Sequence, residues 1–367
     1  MHYHLILTNL CNSRCKYCYE KSFKEFDNGL DKKFEFDFSE PDKTNLDTTK
    51  LKKFLAKDKD AVLIFYGGEP LLELNKIKEI IDNINVPFRM QTNAKTLDTL
   101  PIKYLKKISK MLVSIDGDKE RTDYNRGEGT FDLVIKNLKQ ARTEGYKGEI
   151  VARMTLSEFP DVYEQVKNIL DLKLFDSIHW QLDVGFYKFD YEKSRVTKFV
   201  NEYSKSLTKL INFWLNEMKR GNMIKIYPFI GVIDSILKNE KTKLRCGSGY
   251  ANYTISTTGK IVACPIMNSI KSFEAGKINS DPHELKKFDV PRCDNCSYLN
   301  LCGGRCLYWR NAELWPKEGD DLICKTIKHL IDELKRIIPE IQKLIDKKII
   351  SAKDFEYEKY FGPEIIP

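Results

Sequence analysis

The chain has 367 residues, 42% hydrophobic and 31% charged, with 61 basic against 53 acidic side chains and a net charge of +8. That length allows one large domain and a smaller one, and the composition is that of a packed globular protein, not a disordered or fibrous one. No apolar run approaches the ~18 residues of a membrane span, the first residues lack the flanks of a signal peptide, and the interspersed charges argue against a nucleic-acid surface, so a cytoplasmic protein with no membrane and no nucleic-acid partner is expected.

The first element is HYHLILTN (2–9), an apolar run that reads as a strand. It leads into CNSRCKYC (11–18), three cysteines within eight residues. Residues 19–47 are polar and read as a long insertion. Five further runs follow: AVLIFYG (61–67), FRMQTN (88–93), MLVSIDG (111–117), IVARMTLS (150–157) and SIHWQLDVG (177–185). Amphipathic helical patterns lie between them, for example FDLVIKNLKQARTE (131–144) and DVYEQVKNILDL (161–172). Six β/α units in series predict an α/β fold with a parallel sheet and helices outside it, a partial (β/α)6 barrel.

The pattern is helical from about 197 to 240, and a boundary near 240 closes a first domain, 1–240. Residues 241–325 hold cysteines, glycines and short strands such as YTISTTGKIVAC (253–264). The tail, 326–367, opens on a helical stripe of Ile327, Leu330, Ile331, Leu334, Ile337 and Ile338, which Pro339 is expected to kink or break.

Ten cysteines are spread very unevenly: three lie at 11–18 and seven between 246 and 324. In a reducing cytoplasm, clustered thiols mean metal more often than disulfide. Cys15 and Cys18, like Cys293 and Cys296, would chelate well and crosslink poorly, because such short spacings close almost no loop. A closed zinc or iron–sulfur site wants four thiolates, and Cys11, Cys15 and Cys18 make three. A cubane [4Fe–4S] cluster held by three leaves one iron open to a small molecule, as a catalytic zinc keeps an open position. Active sites of parallel α/β folds gather at the carboxyl ends of the strands. There stand the three cysteines, GGEP (Gly67, Gly68, Glu69, Pro70), TNA (Thr92, Asn93, Ala94) and SIDGD (114–118). The glycines would let backbone approach a ligand closely, and Glu69 could pair with a cationic group on it. Any one of these could be a plain turn, and a lone GGEP is more often a loop than a site, but four together at one face point to a site.

CNSRCKYC resembles the C-x3-C-x-aromatic-C motif of the radical S-adenosylmethionine (SAM) superfamily, with Tyr17 as the aromatic residue. The resemblance implies that SAM chelates the open iron of the cluster on Cys11, Cys15 and Cys18. An electron from the cluster then cleaves SAM to methionine and a 5′-deoxyadenosyl radical, which abstracts hydrogen from substrate. By the same resemblance GGEP receives the methionine amino group, and Ser114 and Arg126 of SIDGDKERTDYNR (114–126) contact SAM. Asn93 completes the candidate cofactor-binding set of Tyr17, Gly67, Gly68, Glu69, Asn93, Ser114 and Arg126. For Arg126 a surface salt bridge is the competing role.

The C-terminal cysteines resemble the SPASM domain pattern. Cys246 precedes Gly259 by twelve intervening residues, Cys264 follows, then Cys293, Cys296, Cys302, Cys306 and Cys324. The resemblance implies two auxiliary [4Fe–4S] clusters, hence three in all. One takes Cys293, Cys296, Cys302 and Cys324; the other takes Cys246, Cys264 and Cys306. The second set is one ligand short, because Asn252 stands where fully ligated relatives have cysteine. Either an iron there stays open or a residue other than cysteine binds it.

SPASM enzymes mostly modify ribosomally made peptides or proteins. A branch that matures sulfatases uses an Asp directly after the second SPASM cysteine, and Pro265 in that place counts against that reaction. The tail YEKYFGPEIIP (357–367) is similar to archaeal peptide-modifying members. The expected enzyme is therefore a radical SAM/SPASM oxidoreductase acting on a peptide by hydrogen abstraction, then crosslinking or oxidation. The chain starts directly on strand one, so a separate peptide-recognition protein or its own surface would read the peptide. Ferredoxin or flavodoxin would supply electrons. A SPASM enzyme acting on a small molecule and a non-catalytic iron–sulfur or zinc protein are the rival readings. Asp116, Asp183 and Tyr250 are candidate proton or hydrogen donors, each with an ordinary structural role as the alternative.

Overall fold

A computed structural model describes residues 1–19, 29–184, 190–290, 293 and 295–361. The strands are β1 (His2–Thr8), β2 (Val62–Gly67), β3 (Phe88–Thr92), β4 (Ile108–Ser114), β5 (Glu149–Leu156), β6 (Ser177–Leu182), β7 (Lys225–Ile226), β8 (Asn252–Ile255), β9 (Lys260–Val262) and β10 (Glu274–Lys277). The chain forms two compact units, Met1–Arg153 with Gly247–Asp289, and Met154–Cys246 with Val290–Pro367.

In the first unit the sheet order is β10-β9-β8-β1-β2-β3-β4-β5. Strands β1 to β5 run parallel, each beside the next. They are apolar nearly throughout, as strands buried on both faces must be. Alternation sends Tyr3 against Phe54, with ring centroids 5.2 Å apart. It sends His4 to the other face, edge-on to Tyr66 at 5.3 Å. Phe54 belongs to helix α1 (Thr48–Leu55), which Asp47 caps by accepting from the Thr49 and Lys50 amides. The crossovers α2 (Leu74–Asn83), α3 (Ile102–Leu105), α4 (Lys119–Arg126) and α5 (Thr130–Thr143) follow. Helix α5 buries Val134, Leu138 and Ala141 at the spacing of one helical face.

Two features of this unit depart from the sequence reading. The cysteine-rich hairpin joins the sheet: β8 lies parallel to β1, from His2 opposite Asn252 to Leu5 opposite Ile255, and β9 and β10 continue it antiparallel. The polar insertion carries an aromatic comb. Phe34 meets Phe273 at 5.8 Å, and Phe36 stacks on Phe38 at 5.4 Å. Residues 20–28 of that insertion lie outside the described residues.

In the second unit β6 pairs parallel with β7. Helices α6 (Val162–Asp171), α7 (Lys193–Lys219), α8 (Tyr227–Leu237), α9 (Leu299–Cys302), α10 (Leu307–Ala312) and α11 (Lys317–Asp346) complete it. The Trp180 indole donates to the Tyr203 hydroxyl at 2.9 Å, tying β6 to α7. On α11, Nε2 of His329 lies 2.9 Å from both the Thr208 hydroxyl and the Ser204 carbonyl of α7. Of the expected kink or break at Pro339 the break does not occur: α11 runs on through it, with Ile337, Ile341 and Leu344 buried around it. That apolar face supplies more than the ~3 kcal/mol an interior proline costs. Among the described residues no helix is long and apolar enough to cross a membrane. Gly185 of the sixth strand run and the last six residues of the tail, 362–367, lie outside the described residues.

Candidate cofactor site

All ten residues expected at the SAM-binding centre fall in the first unit. Strand β1 delivers the chain to the cysteine loop, and GGEP braces its entry. The Gly68 amide donates to the Thr8 carbonyl at 2.8 Å and the Glu69 amide to the Leu10 carbonyl at 2.9 Å. A Cβ on Gly67 would stand 2.2 Å from the Thr8 carbonyl oxygen, and one on Gly68 2.3 Å from that of Leu10. The glycines therefore admit the protein's own backbone, the stretch that runs into Cys11.

Glu69 points inward and has no exposed surface. Its Oε1 accepts from the Leu71 amide at 3.0 Å and the Thr92 hydroxyl at 2.7 Å, and its Oε2 from the Asn93 amide at 2.7 Å. One carboxylate thus joins the turn after β2 to the turn after β3. Burial pushes it up to about 7 from 4.5, against these three bonds, which act the other way. An acid raised on folding contributes stability that is complete below pH 4.5 and is lost as the pH climbs through 7. The shift corresponds to on the order of 3 kcal/mol. Urea unfolding of the apo chain as a function of pH should show this loss, and the Glu69→Gln variant should lack it.

Asn93 reaches the cysteine loop. Its Nδ2 donates to Asn12 Oδ1 at 2.7 Å and to Ser13 Oγ at 3.3 Å, and lies 3.9 Å from Cys11 Sγ. On the far side the Lys16 amide donates to the Asn125 carbonyl at 2.9 Å, tying the loop to α4. Tyr17 donates to Asp116 Oδ2 at 2.6 Å. Arg126 forks onto the same carboxylate, Nε to Oδ2 at 3.0 Å and Nη2 to Oδ1 at 2.8 Å, and its guanidinium lies 5.3 Å from the Tyr17 ring centroid. Asp116 is fully buried and Arg126 nearly so, so the Arg126 pair is internal and not the surface bridge considered from sequence. Asp116 is engaged as the anchor of Arg126 and Tyr17. Ser114 ends β4, half-buried. Asp116→Ala should cost about 3–5 kcal/mol in urea unfolding, because it strands a buried guanidinium, and adding Arg126→Met should recover part of that loss.

The donor set fits a three-thiolate cluster. Cys11, Cys15 and Cys18 are free thiols on the one loop that follows β1, Cys11 exposed and the other two half-buried, so their sulfurs are open to a shared cluster. Beside them the Asn125 Oδ1 is buried without a hydrogen-bond partner, an acceptor left over for a donor on a bound molecule. Among the described residues no three Cys, His, Asp or Glu side chains close on one point as they would around a single metal ion. A cavity of about 100 Å³ adjoins the loop, lined by Asn9, Tyr19, Asp42, Tyr66, Pro265 and Asn268 among others. The Tyr19 and Tyr66 hydroxyls meet across it at 3.2 Å.

The remaining cysteines divide between the units. Cys264 precedes the turn Pro265–Met267 in the first. There Asn252 Oδ1 accepts from Nδ1 of His4 at 2.9 Å, and burial lowers His4 to about 4, leaving it neutral near pH 7. In the second unit Cys246 ends a segment, Cys306 stands at the start of α10, Cys293 is buried, Cys302 and Cys324 are half-buried and Cys296 is exposed. Burial raises both the Cys293 and Cys302 thiols; Arg310 opposes this at Cys293, and the Gly304 and Arg305 amides oppose it at Cys302. Sequence reasoning missed His4, the anchoring role of Asp116, and Arg305 and Arg310. Only the arginines left a trace, as cations set among cysteines.

The family model described as Radical SAM superfamily matches residues 5–172. A cysteine-type anaerobic sulfatase-maturating enzyme of Clostridium perfringens is 25% identical over 341 residues, covering 83% of this chain and 87% of the relative. A solved structure of native anSMEcpe with bound AdoMet and Cp18Cys peptide superposes with a TM-score of 0.68 at 18% identity, covering 93% of this chain and 99% of that one. The structure of Streptococcus suis SuiB bound to precursor peptide SuiA gives a TM-score of 0.51 at 16% identity, covering 83% and 71%. The fold is shared with both structures, and residues 5–172, which run from within β1 through α6 and include the three-thiol loop at the end of β1, form a radical SAM domain.

Proposed function

We propose that this enzyme modifies a ribosomally made peptide or protein, abstracting a hydrogen atom and then crosslinking or oxidising the substrate. The observation that carries the reading is the cysteine loop, braced at once by GGEP, by Asn93 and by α4. SAM bound at the open iron of a cluster on Cys11, Cys15 and Cys18 supplies the hydrogen-abstracting group. Around it Gly67 and Gly68 hold the loop entry, Glu69 fixes the turns that present GGEP and Asn93, and Ser114, Tyr17 and Arg126 flank the cofactor. Asp116 keeps Arg126 oriented. The cavity between Tyr19, Tyr66 and Pro265 takes a substrate side chain.

The division into 1–240, 241–325 and 326–367 stands as part of this proposal. So do two auxiliary clusters, one on Cys293, Cys296, Cys302 and Cys324, the other on the set that the sequence assigns, Cys246, Cys264 and Cys306. The enzyme works in the cytoplasm, takes electrons from ferredoxin or flavodoxin, and relies on its own surface or a separate recognition protein to read the peptide. Pro265 sets it apart from sulfatase maturation. The relatives' peptide-bound structures support a peptide substrate.

The test is anaerobic reconstitution with iron and sulfide, then SAM and dithionite with each short peptide that a search of the neighbouring genes yields. Formation of 5′-deoxyadenosine with a peptide of altered mass is expected. SAM cleavage stimulated by a small molecule and by no peptide would favour the small-molecule reading.

A further inference from the structure

Two arginines stand among the cysteines of the second unit. Arg305 lies between Cys302 and Cys306 in the left-handed backbone region, with φ 65°. Only 9% of it is exposed. Its guanidinium lies 4.4 Å from the Trp309 ring centroid, and its Nη1 is buried with no hydrogen-bond partner. Arg310 is equally enclosed. Its Nη1 meets Asp320 at 2.5 Å, its Nη2 lies 3.2 Å from Cys324 Sγ, and its Nε is buried without a partner. Asp320 also accepts from the Trp309 indole. Of the two buried guanidiniums, Arg310 has the Asp320 carboxylate as partner, and both leave a donor unused.

An uncompensated buried charge costs several kcal/mol, so this arrangement asks for an anion. Cys324, which Arg310 contacts, and the three thiolates grouped with it supply one when they hold a cubane. The oxidised cluster with its thiolates carries two negative charges, and one added electron makes three. Cations and N–H groups aimed at the sulfurs stabilise the reduced form more than the oxidised one.

We propose that Arg305 and Arg310 are positioning residues that raise the reduction potential of the cluster on Cys293, Cys296, Cys302 and Cys324. The inference rests on the reading that these four thiolates hold a cubane. The step concerned is a one-electron reduction by a low-potential donor; no bond breaks and no proton moves. Arg305 contributes charge held flat against Trp309. Arg310 contributes charge, partly offset by Asp320, and a direct N–H···S contact to Cys324.

The experiment is an EPR-monitored redox titration of the reconstituted holoenzyme, with dithionite as reductant. The signal lost in Cys324→Ala belongs to this cluster. At the wild-type midpoint, Arg305→Met should lower the ratio of reduced to oxidised cluster about tenfold, which is about 59 mV for one electron. Arg305→Lys should restore it to within about threefold. Arg310→Gln should lower it in the same direction, at unchanged iron content. A potential equal to wild type in both Arg305→Met and Arg310→Gln would overturn the proposal. If Arg305→Met fails to hold the cluster while Arg305→Lys holds it, the charge requirement stands; if both lose it, Arg305 is a packing residue and the proposal fails. Unchanged iron in Cys324→Ala would instead remove the cluster reading itself.

Discussion

Replacing Cys11, Cys15 and Cys18 together by alanine should abolish the formation of 5′-deoxyadenosine from SAM under reductant and leave the iron of the C-terminal cysteines in place. The three thiols occupy one loop of the first unit. Cys293, Cys296, Cys302 and Cys324 lie within the second unit. On the proposed ligand sets, removing the first withdraws every thiolate ligand of the SAM-binding cluster and touches no ligand of the auxiliary ones. With three cubanes the chain holds about twelve irons, and the variant should keep about eight. The loop's frame should persist, because its braces come from the Thr8 and Leu10 carbonyls, from Asn93 and from the Asn125 carbonyl, not from the sulfurs. SAM cleavage at the wild-type rate in the triple variant would contradict the assignment.

Gly68→Ala should have nearly as large an effect, without removing any ligand. Its Cβ would stand 2.3 Å from the Leu10 carbonyl oxygen, 2.6 Å from the Leu10 carbonyl carbon and 2.8 Å from the Asn9 carbonyl oxygen. All three are backbone atoms, so no side chain can swing aside. The turn after β2 and the entry to the cysteine loop must part, at about 1–3 kcal/mol. A misplacement of about 1 Å at a reacting centre costs on the order of a hundredfold in rate. SAM cleavage should fall by about that factor while the C-terminal iron is retained. Gly129→Ala is the control. That residue has φ 75° and nothing within 4 Å of its added Cβ, so the change costs about 1 kcal/mol of backbone strain and should leave cleavage within about threefold. Equal activity in the two variants would show that the contact of GGEP with the cysteine loop does not matter.

Much of this was legible because the strands are short β-branched runs and the ligands sit at fixed spacings. The run AVLIFYG became β2 almost residue for residue, and helix α5 spans the FDLVIKNLKQARTE pattern to within a residue at each end. Local periodicity carries that information. It does not carry pairings between distant segments. Nothing within residues 252–255 shows that they lie beside β1, since one short apolar strand pairs as readily with many partners. The insertion read as polar because Glu35 and Asp37 separate Phe34, Phe36 and Phe38; alternation of period two, visible in the sequence, is the signal that was passed over. Pro339 misled because a local cost was weighed without the buried face that overrides it. Glu69 was legible as a site residue but not as an inward brace, because its partners Leu71, Thr92 and Asn93 are set by the fold. Asp116 was legible as a titratable group, yet its engagement by Arg126 and Tyr17 needs the α4 turn to bring them together.

The central claim is that SAM bound at the loop of Cys11, Cys15 and Cys18 takes a hydrogen atom from a peptide. It is tested most directly by mass spectrometry of the 5′-deoxyadenosine formed when the reconstituted enzyme turns over a substrate peptide found by the search of the neighbouring genes, prepared with every carbon-bound hydrogen replaced by deuterium. Deuterium in the 5′-deoxyadenosine, together with a modified peptide, is the predicted result. 5′-Deoxyadenosine that carries no deuterium, while the peptide is consumed, would contradict it.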